Sequence, residues 1–263
     1  MKIKLILTIN MLLAFSFYST FSIAYDEIQI YDYGINKAGQ FGLEMHSNYV
    51  IAGRKKPDYL GELPPDGSLA FTAEFSYGLT DQLELGLYVP MSVDTKSNAT
   101  MVDNAKIRMK WLNAKNSEFF YGLNGEIGVV PKRYSNQPIG MEIRPILGHY
   151  DENWLIAFNP TIEMDLTGND QVPVFSPALK VTHQFIDNIN VGFEHYADVG
   201  QFSQFATGNQ QNHTTYLVSD ISIDNYRVHI GVGHGWTKVS DSWMLKIILG
   251  GIPIGELFNP NRR

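Results

Sequence analysis

Alternation of apolar and polar residues is the feature of this sequence that most restricts its fold. In the segment 69–77, LAFTAEFSY, every second residue is apolar or aromatic, and in 105–111, AKIRMKW, three basic residues alternate with apolar ones. Side chains of a β-strand point alternately to its two faces, so a period of two over such lengths indicates strands. Ten further segments show the same period: 39–49, 82–89, 117–130, 139–148, 153–165, 173–185, 189–198, 213–223, 226–236 and 242–250. Twelve strands are predicted; because 213–223 has the weakest phase, ten or eleven remain open.

The connections between these segments alternate strictly in length. Short polar turns are expected at 80–82, 113–116, 151–153, 187–188 and 224–225, and longer connections at about 51–67, 91–104, 131–138, 166–172, 199–212 and 237–241. Short periplasmic turns and longer extracellular loops are typical of transmembrane β-barrels. After the N-terminal segment, no apolar run approaches the ~20 residues that a membrane helix needs. The predicted fold is all-β, a transmembrane antiparallel barrel of about twelve strands.

The N-terminus has the layout of a secretory signal peptide. Lys2 and Lys4 precede an apolar run from Leu5 to Tyr18, and small residues stand at Ser22 and Ala24. A charged start, a short apolar middle and a small-x-small end define such signals. We therefore expect residues 1–24 to be cleaved after Ala24, 25–38 to form a periplasmic lead-in, and 39–263 to form an outer-membrane barrel with a short C-terminal tail.

Composition excludes several classes of function. The chain has no cysteine, which removes an acylated lipoprotein N-terminus, a disulfide framework and thiolate metal sites. Its formal net charge is −7 and it has no basic stretch, so nucleic acid is not an expected partner. No cofactor or metal site is expected. The expected partners are outer-membrane lipids and an unidentified small-molecule substrate, and the oligomeric state is left open.

The polar faces of the strands carry charges of both signs. A membrane barrel turns its apolar face to lipid and its polar face to the lumen. The predicted lumen-lining set has eight acids and seven bases, a near balance that argues against strong selectivity for anions or cations. We expect a salt-bridge lattice that fills part of the interior; the alternative is a set of solvated positions without specific pairing. The residues are Glu44, Glu74, Glu84, Lys106, Arg108, Lys110, Glu126, Glu142, Arg144, Glu163, Asp165, Lys180, Glu194, Arg227 and Lys246.

The four tryptophans fall at strand ends. Trp111 and Trp154 flank short turns, whereas Trp236 and Trp243 flank the last long connection. Tryptophan is enriched where a membrane meets water, so these side chains are predicted to form aromatic girdles at the interfaces.

An enzymatic function needs a nucleophile and a base side by side. His46 and Ser47 are neighbours on one strand and therefore point to opposite faces. His234 lies near Ser240 and Ser242 at the last long connection, the best candidate for a lipid-hydrolysing dyad. Such proximity is expected by chance in a chain with seven histidines, and no catalytic residue is assigned.

Several segments together resemble a known family. They are 27–31, 39–46, FTAEFSYGLTDQLELGLYVP at 71–90, 142–145, 159–160 and GVGHGWTKVSDSWMLK at 231–246. With them the chain resembles the outer-membrane barrel family named after the meta-pathway of phenol degradation. The resemblance implies a barrel, suggests passage of small molecules, aromatic ones among them, and supplies no catalytic residues.

Three functions follow as expectations. The first is a passive channel or transporter for small molecules, and the second is a plugged barrel that acts through its extracellular loops. The third is an outer-membrane lipid-modifying enzyme.

Overall fold

The computed structural model describes residues 28–57, 60–94, 99–102, 105–113, 118–129, 139–167 and 171–252. The expected signal peptide, with its cleavage site, and the C-terminal tail after residue 252 lie outside the described residues. Within these ranges no helix is long and apolar enough to cross a membrane.

The described residues form almost nothing except β-strands. The strands are β1 (Phe41–Ala52), β2 (Leu69–Thr80), β3 (Leu83–Asp94), β4 (Ala99–Val102), β5 (Ala105–Asn113), β6 (Phe119–Val129), β7 (Ile139–Tyr150), β8 (Trp154–Asp165), β9 (Val174–Ile186), β10 (Ile189–Asp198), β11 (Gly200–Gln201), β12 (Gln204–Phe205), β13 (Asn212–Ile223), β14 (Tyr226–Gly235) and β15 (Trp243–Gly250). The short strands β4, β11 and β12 belong to the long connections. Each of the other twelve overlaps one of the twelve predicted segments, although β1 and β3 end three and five residues later than predicted.

These twelve strands close into a barrel. Each long strand pairs antiparallel with its neighbour along the chain, and β1 pairs with β15, with Met45 opposite Leu249 and Tyr49 opposite Leu245. Closure satisfies the strand edges that an open sheet would leave unpaired. The predicted fold, a closed antiparallel barrel of 12 strands, is confirmed, and the strand count is settled at the upper end of the expected range.

Burial shows which face of the barrel is apolar. On β5 the outward side chains of Ile107 and Met109 are 59% and 55% exposed, whereas Arg108 between them is 4% exposed. A water-soluble barrel would bury the apolar residues and expose the arginine. The reverse pattern means that this barrel presents apolar side chains to its surroundings and encloses charged ones, as a membrane barrel does.

The two ends of the barrel differ in their connections. At the short-turn end, Asp187–Asn188 joins β9 to β10 and Asp224–Asn225 joins β13 to β14. Asn188 and Asp224 adopt left-handed backbone angles, with φ of 66° and 50°. Asparagine and aspartate tolerate this conformation better than other non-glycine residues, which explains why they occupy such tight turns. The opposite end carries the long connections and is called the long-loop end below.

Four prolines lie within long strands of the described residues, and one of them, Pro90 on β3, stands opposite Thr72 without a break in register. Pro160 on β8 stands directly opposite Pro177 on β9, and Pro145 lies on β7. Among the described residues, the paired positions of β7 and β8 stop at Ile143–Ile162 and resume at Leu147–Phe158. Proline has no N–H to donate to a strand ladder, so the break falls where donors are missing.

Candidate functional site: the barrel lumen

The structure places the predicted lumen charges at different depths. Ten are buried inside the barrel: Glu74, Glu84, Lys106, Arg108, Lys110, Glu126, Asp165, Lys180, Glu194 and Lys246. Four are partly buried: Glu44, Glu142, Arg144 and Glu163. Arg227, near the short-turn end, has a side chain that is 64% exposed and reaches Glu44 at 3.2 Å. Most of the interior charges lie in ion pairs with one another.

One group of ion pairs is centred on Arg108. Its guanidinium contacts Glu74 on β2 and Glu84 on β3, the latter at 2.7 Å, and Lys110 reaches Glu84 at 3.2 Å. Gly86 stands opposite Arg108 on β3, and a Cβ at Gly86 would lie 2.5 Å from the Arg108 Cγ. The glycine therefore makes room for the arginine inside the lumen. Buried pairs of this kind fix side chains in place, because separating them would leave a charge without a partner.

Two further pairs extend the network along β5, β6 and β7. Lys106 Nζ lies 3.4 Å from Glu126 Oε2. Arg144 binds Glu142 through two atoms, with Nε 2.7 Å from Oε1 and Nη2 donating to Oε2 at 2.9 Å. The Nη2 hydrogen bond and the close Nε–Oε1 contact together hold the guanidinium beside the carboxylate.

A second group, the Glu194 cluster, consists of Lys180, Glu194, Asp220, His229 and Lys246. Glu194 contacts Lys246 and lies 3.6 Å from Lys180, while Lys180 lies 2.9 Å from Asp220. His229 bridges the two acids, with Nε2 3.5 Å from Glu194. Asp220 and His229 were not among the predicted lumen residues. The signal that could have found them is the turn at 224–225, which places them directly opposite each other.

Within the expected periplasmic lead-in of 25–38, residues 28–36 lie inside the barrel, whereas Lys37 and Ala38 are exposed at its short-turn end. The Tyr31 N–H donates to Asn159 Oδ1 at 2.7 Å, and Asn159 Nδ2 donates back to the Tyr31 carbonyl at 3.0 Å. The Tyr31 hydroxyl contacts the Tyr88 hydroxyl and donates to Glu126 at 3.0 Å. We call residues 28–36 the lumen segment.

Lumen cations hold the backbone of this segment. Lys246 donates to the Ile28 carbonyl at 3.1 Å and Arg144 to the Gln29 carbonyl at 2.9 Å. Further along, Lys110 donates to the Gly34 carbonyl at 3.0 Å. In return, Glu84 accepts the Asn36 N–H at 2.8 Å. Side chains from opposite walls thus supply the hydrogen bonds that an extended backbone needs away from water.

Apolar contacts also hold the lumen segment in place. Ile28, Ile30 and Tyr31 are at most 5% exposed and belong to one buried cluster within the barrel. Full burial of an aliphatic side chain contributes about 1.5–3 kcal/mol, so the two isoleucines add several kcal/mol to docking. The cluster's other members come from the inward faces of the strands: Val50, Leu112, Phe120, Ile146, Ala157, Ala178, Tyr196, Tyr216, Val218 and Met244.

The tryptophans occupy strand ends on the outside of the barrel. Trp111 and Trp154 lie near the short-turn end and Trp236 and Trp243 at the long-loop end, with exposures from 40% to 65%. We propose that these four side chains lie at the two membrane interfaces, as the sequence predicts.

The proposed dyad at the long-loop end is not assembled. His234 Nδ1 bonds to the backbone carbonyl of Ser242 at 2.8 Å, and its ring packs against Trp236 and Trp243. The Ser240 hydroxyl instead donates to Asn212 at 2.8 Å. Since the described contacts of His234 include no serine hydroxyl, this pair gives no support to a hydrolase.

Comparison with solved structures agrees with the fold. An outer-membrane channel from Pseudomonas putida F1 superposes with a TM-score of 0.54 at 12% sequence identity, covering 85% of this chain and 99% of that one. The NanC porin superposes with a TM-score of 0.53 at 8% identity, covering 79% and 97%. No protein-family model matches the sequence, and no curated protein matches it. At these identities the similarity establishes the fold alone: the chain folds as an outer-membrane β-barrel.

Proposed function

We propose that this protein is an outer-membrane channel for small molecules whose lumen is restricted by its own N-terminal segment. The observation that carries the proposal is the lumen segment, which is bound by Asn159, Arg144, Lys110 and Lys246 from different parts of the wall. A barrel interior lined with ionisable groups and filled by a removable peptide is suited to regulated passage. With Asp220 added to the predicted set, nine acids stand against seven bases, a small excess that favours weak ion selectivity once the passage is open.

The proposed substrates are small molecules, aromatic ones among them. The support is the resemblance to the phenol meta-pathway barrel family, together with the aromatic side chains of Tyr31, Tyr88, Tyr196 and Tyr216 inside the lumen. Tyrosine offers an aromatic face and a hydroxyl, both of which contact phenol-like compounds well. Uptake into liposomes of matched neutral aromatic and aliphatic compounds tests this choice; equal rates for both would contradict it.

Planar-bilayer conductance tests the channel. The two proteins to compare are the mature chain and a variant in which residues 28–36 are replaced by a glycine–serine sequence of equal length. We expect low conductance from the wild type and a severalfold higher conductance from the replacement, with a reversal potential near zero in a salt gradient. A shift in gel migration on heating, the usual sign of a folded barrel, serves as the folding control for both proteins.

The second candidate is a closed barrel that acts through its long loops. The ion pairs in the lumen favour it, because the charged side chains bind one another and the lumen segment and leave few of them to contact a passing molecule. If the folded replacement variant conducts no better than the lipid alone, the channel proposal fails and this candidate takes its place. Equal, high conductance of wild type and replacement would instead retain the channel and reject the restricting role of the segment.

A further inference from the structure

Two glutamates stand directly opposite each other inside the barrel. Glu44 on β1 is paired in register with Glu74 on β2, and both side chains point to the lumen, where His46 follows on the same face of β1. Like charges at directly opposite positions of a sheet are destabilising. Arg108 contacts Glu74 and Arg227 contacts Glu44 through the Oε1 atoms, and a cation between the two Oε2 atoms would relieve the repulsion that remains.

Three potential ligand atoms converge at this point. His46 Nε2 lies 3.2 Å from Glu74 Oε2 and 4.0 Å from Glu44 Oε2, and the three atoms all lie within 4.8 Å of one another. Ligands bound tetrahedrally at zinc distances are separated from one another by about 3.3–3.4 Å. The His46 Nε2 and Glu74 Oε2 atoms are already that close. Side-chain rotations that move the other ligand atoms by about 1.5 Å or less would bring them to the same separation.

The remaining contacts leave these atoms directed at the shared point. Glu74 Oε1 is held by Arg108 and Glu44 Oε1 by Arg227, so each carboxylate presents its Oε2 to the imidazole. His46 is 1% exposed, and its Nδ1 has no hydrogen-bond partner among the described residues. A carboxylate only accepts hydrogen bonds, so without a metal the Nε2 proton of His46 points to Glu74, and a metal bound at Nε2 would replace that proton.

A fourth ligand is available from the lumen segment. Gln29 Nε2 lies 3.2 Å from Glu44 Oε2, while Gln29 Oε1 is buried and has no partner among the described residues. Turning the amide over would direct its carbonyl oxygen to the same point. A buried amide oxygen without a donor is costly, and a metal ion would satisfy it.

We propose that Glu44, His46 and Glu74 form a binding site for a divalent first-row metal, zinc being the best match, with Gln29 Oε1 as the fourth ligand. One imidazole and three oxygens suit zinc in a four-coordinate site. Calcium is a poor match because it takes six to eight oxygen ligands. The site is independent of the proposed transport: it would join β1, β2 and the lumen segment whether or not the barrel conducts.

Zinc binding to the untagged mature protein tests the site. The protein is folded in detergent, stripped with a chelator and titrated with Zn²⁺ by calorimetry, and Co²⁺ is added separately to record visible absorption. We expect one tightly bound metal per chain and a cobalt spectrum of a four-coordinate site. His46→Gln and Glu44→Gln should each weaken zinc binding by more than the roughly 10–100-fold that outer-shell substitutions cost.

Two control variants separate this site from other histidines. His229→Gln alters a partly buried histidine that also lies between two acids, and His213→Gln alters a partly buried histidine at the long-loop end; both variants should bind zinc as the wild type does. Heat-dependent gel migration shows that each variant is folded. Folded wild type that binds no zinc, folded His46→Gln and Glu44→Gln variants with unchanged affinity, or displacement of zinc by calcium at equal concentration would each overturn the proposal.

Discussion

The backbone of Tyr31 and the side chain of Asn159 hydrogen-bond in both directions, at 2.7 Å and 3.0 Å. The amide of Asn159, which is fully buried, offers the donor and the acceptor that a neighbouring β-strand would otherwise provide. One side chain on the barrel wall thus substitutes for a strand edge and positions the lumen segment.

Replacing Asn159 by alanine should release the lumen segment. Two lost hydrogen bonds amount to about 1–3 kcal/mol, which is roughly a 5- to 150-fold shift toward the undocked segment. The chain has no cysteine, so a single Ile30→Cys reporter can be labelled with a polar maleimide. We expect faster labelling in Asn159→Ala than in the Asn159 background. Thr182→Val alters another buried lumen residue, one whose hydroxyl has no described partner, and should leave the rate unchanged. Identical rates in all three would contradict the role of Asn159.

Neutralising Glu194 should destabilise the barrel strongly. The Glu194→Gln substitution leaves Lys246 and Lys180 inside the lumen with one carboxylate fewer, and breaking a buried pair costs about 3–5 kcal/mol. The matched control is Arg227→Gln, which breaks the largely exposed pair with Glu44 and should cost about 1 kcal/mol or less. Urea unfolding in lipid vesicles, followed by tryptophan fluorescence, measures both free energies of unfolding. Equal effects of the two substitutions would show that burial does not govern these pairs.

Replacing the turn residue Asn188 by glycine should leave the stability of the barrel almost unchanged, whereas replacing it by valine should lower it. Its φ of 66° lies in the left-handed region, where a β-branched side chain costs about 1–2 kcal/mol or more. Asn188→Val should therefore lower the free energy of unfolding by at least that amount, whereas Asn188→Gly should change it by a few tenths of a kcal/mol. The same urea titration decides the comparison, and a valine variant as stable as the glycine one would be inconsistent with this turn geometry.

Asp151 should make a pH-dependent contribution to stability. The N–H groups of Asn153 and then Trp154 donate to its carboxylate, both at 2.8 Å, and hold the pKa of Asp151 below its ordinary value. A lowered pKa in the folded protein means stability that is present above the unfolded value of about 3.9 and lost as the pH falls through the folded one. Asp151→Ala should therefore be less stable than wild type at pH 7, with a difference that shrinks on acidification.

Asp151→Asn is the control for this prediction. Asparagine keeps an acceptor oxygen for the same two N–H groups but carries no charge. Its stability relative to Asp151→Ala should not vary with pH between 7 and 3. A wild-type advantage over alanine that is equally constant would show that the ionised carboxylate is not responsible.

The barrel itself was predictable because it depends on local rules. The apolar–polar period identified all twelve long strands, and polar pairs such as Asp224–Asn225 marked the turns. The weak phase of β13 now has a cause: Tyr216 and Val218 point inward, where they pack in the buried cluster with Ile28 and Ile30. An apolar residue on the lumen face has no explanation in sequence until its partner is known.

The ion pairs were predictable only where a tight turn fixes the register. Counting outward from Asp224–Asn225 places Asp220 opposite His229. For Lys180 and Glu194 the same counting fails, because the pairing of β9 and β10 shifts between Ile189 and Asn190. A bulge of this kind depends on the whole sheet and leaves no signal in the local sequence.

The position of the lumen segment could not be predicted from sequence at all. Its binding partners lie far along the chain, 128 residues away for Tyr31 and Asn159 and 218 for Ile28 and Lys246. Residues such as Gln29 and Ile30 alternate like any short strand, and nothing nearby in the chain indicates that they enter the barrel.

These long separations have a consequence for assembly. Lys246 belongs to β15, the strand that closes the barrel against β1, so its contact with the Ile28 carbonyl cannot form until the last strand is in place. Contacts across such distances also require the ends of a very long loop of chain to meet, which delays their formation. The lumen segment therefore completes its full set of contacts only when the last strand closes the barrel, although its partners on β3, β5 and β7 lie on earlier strands.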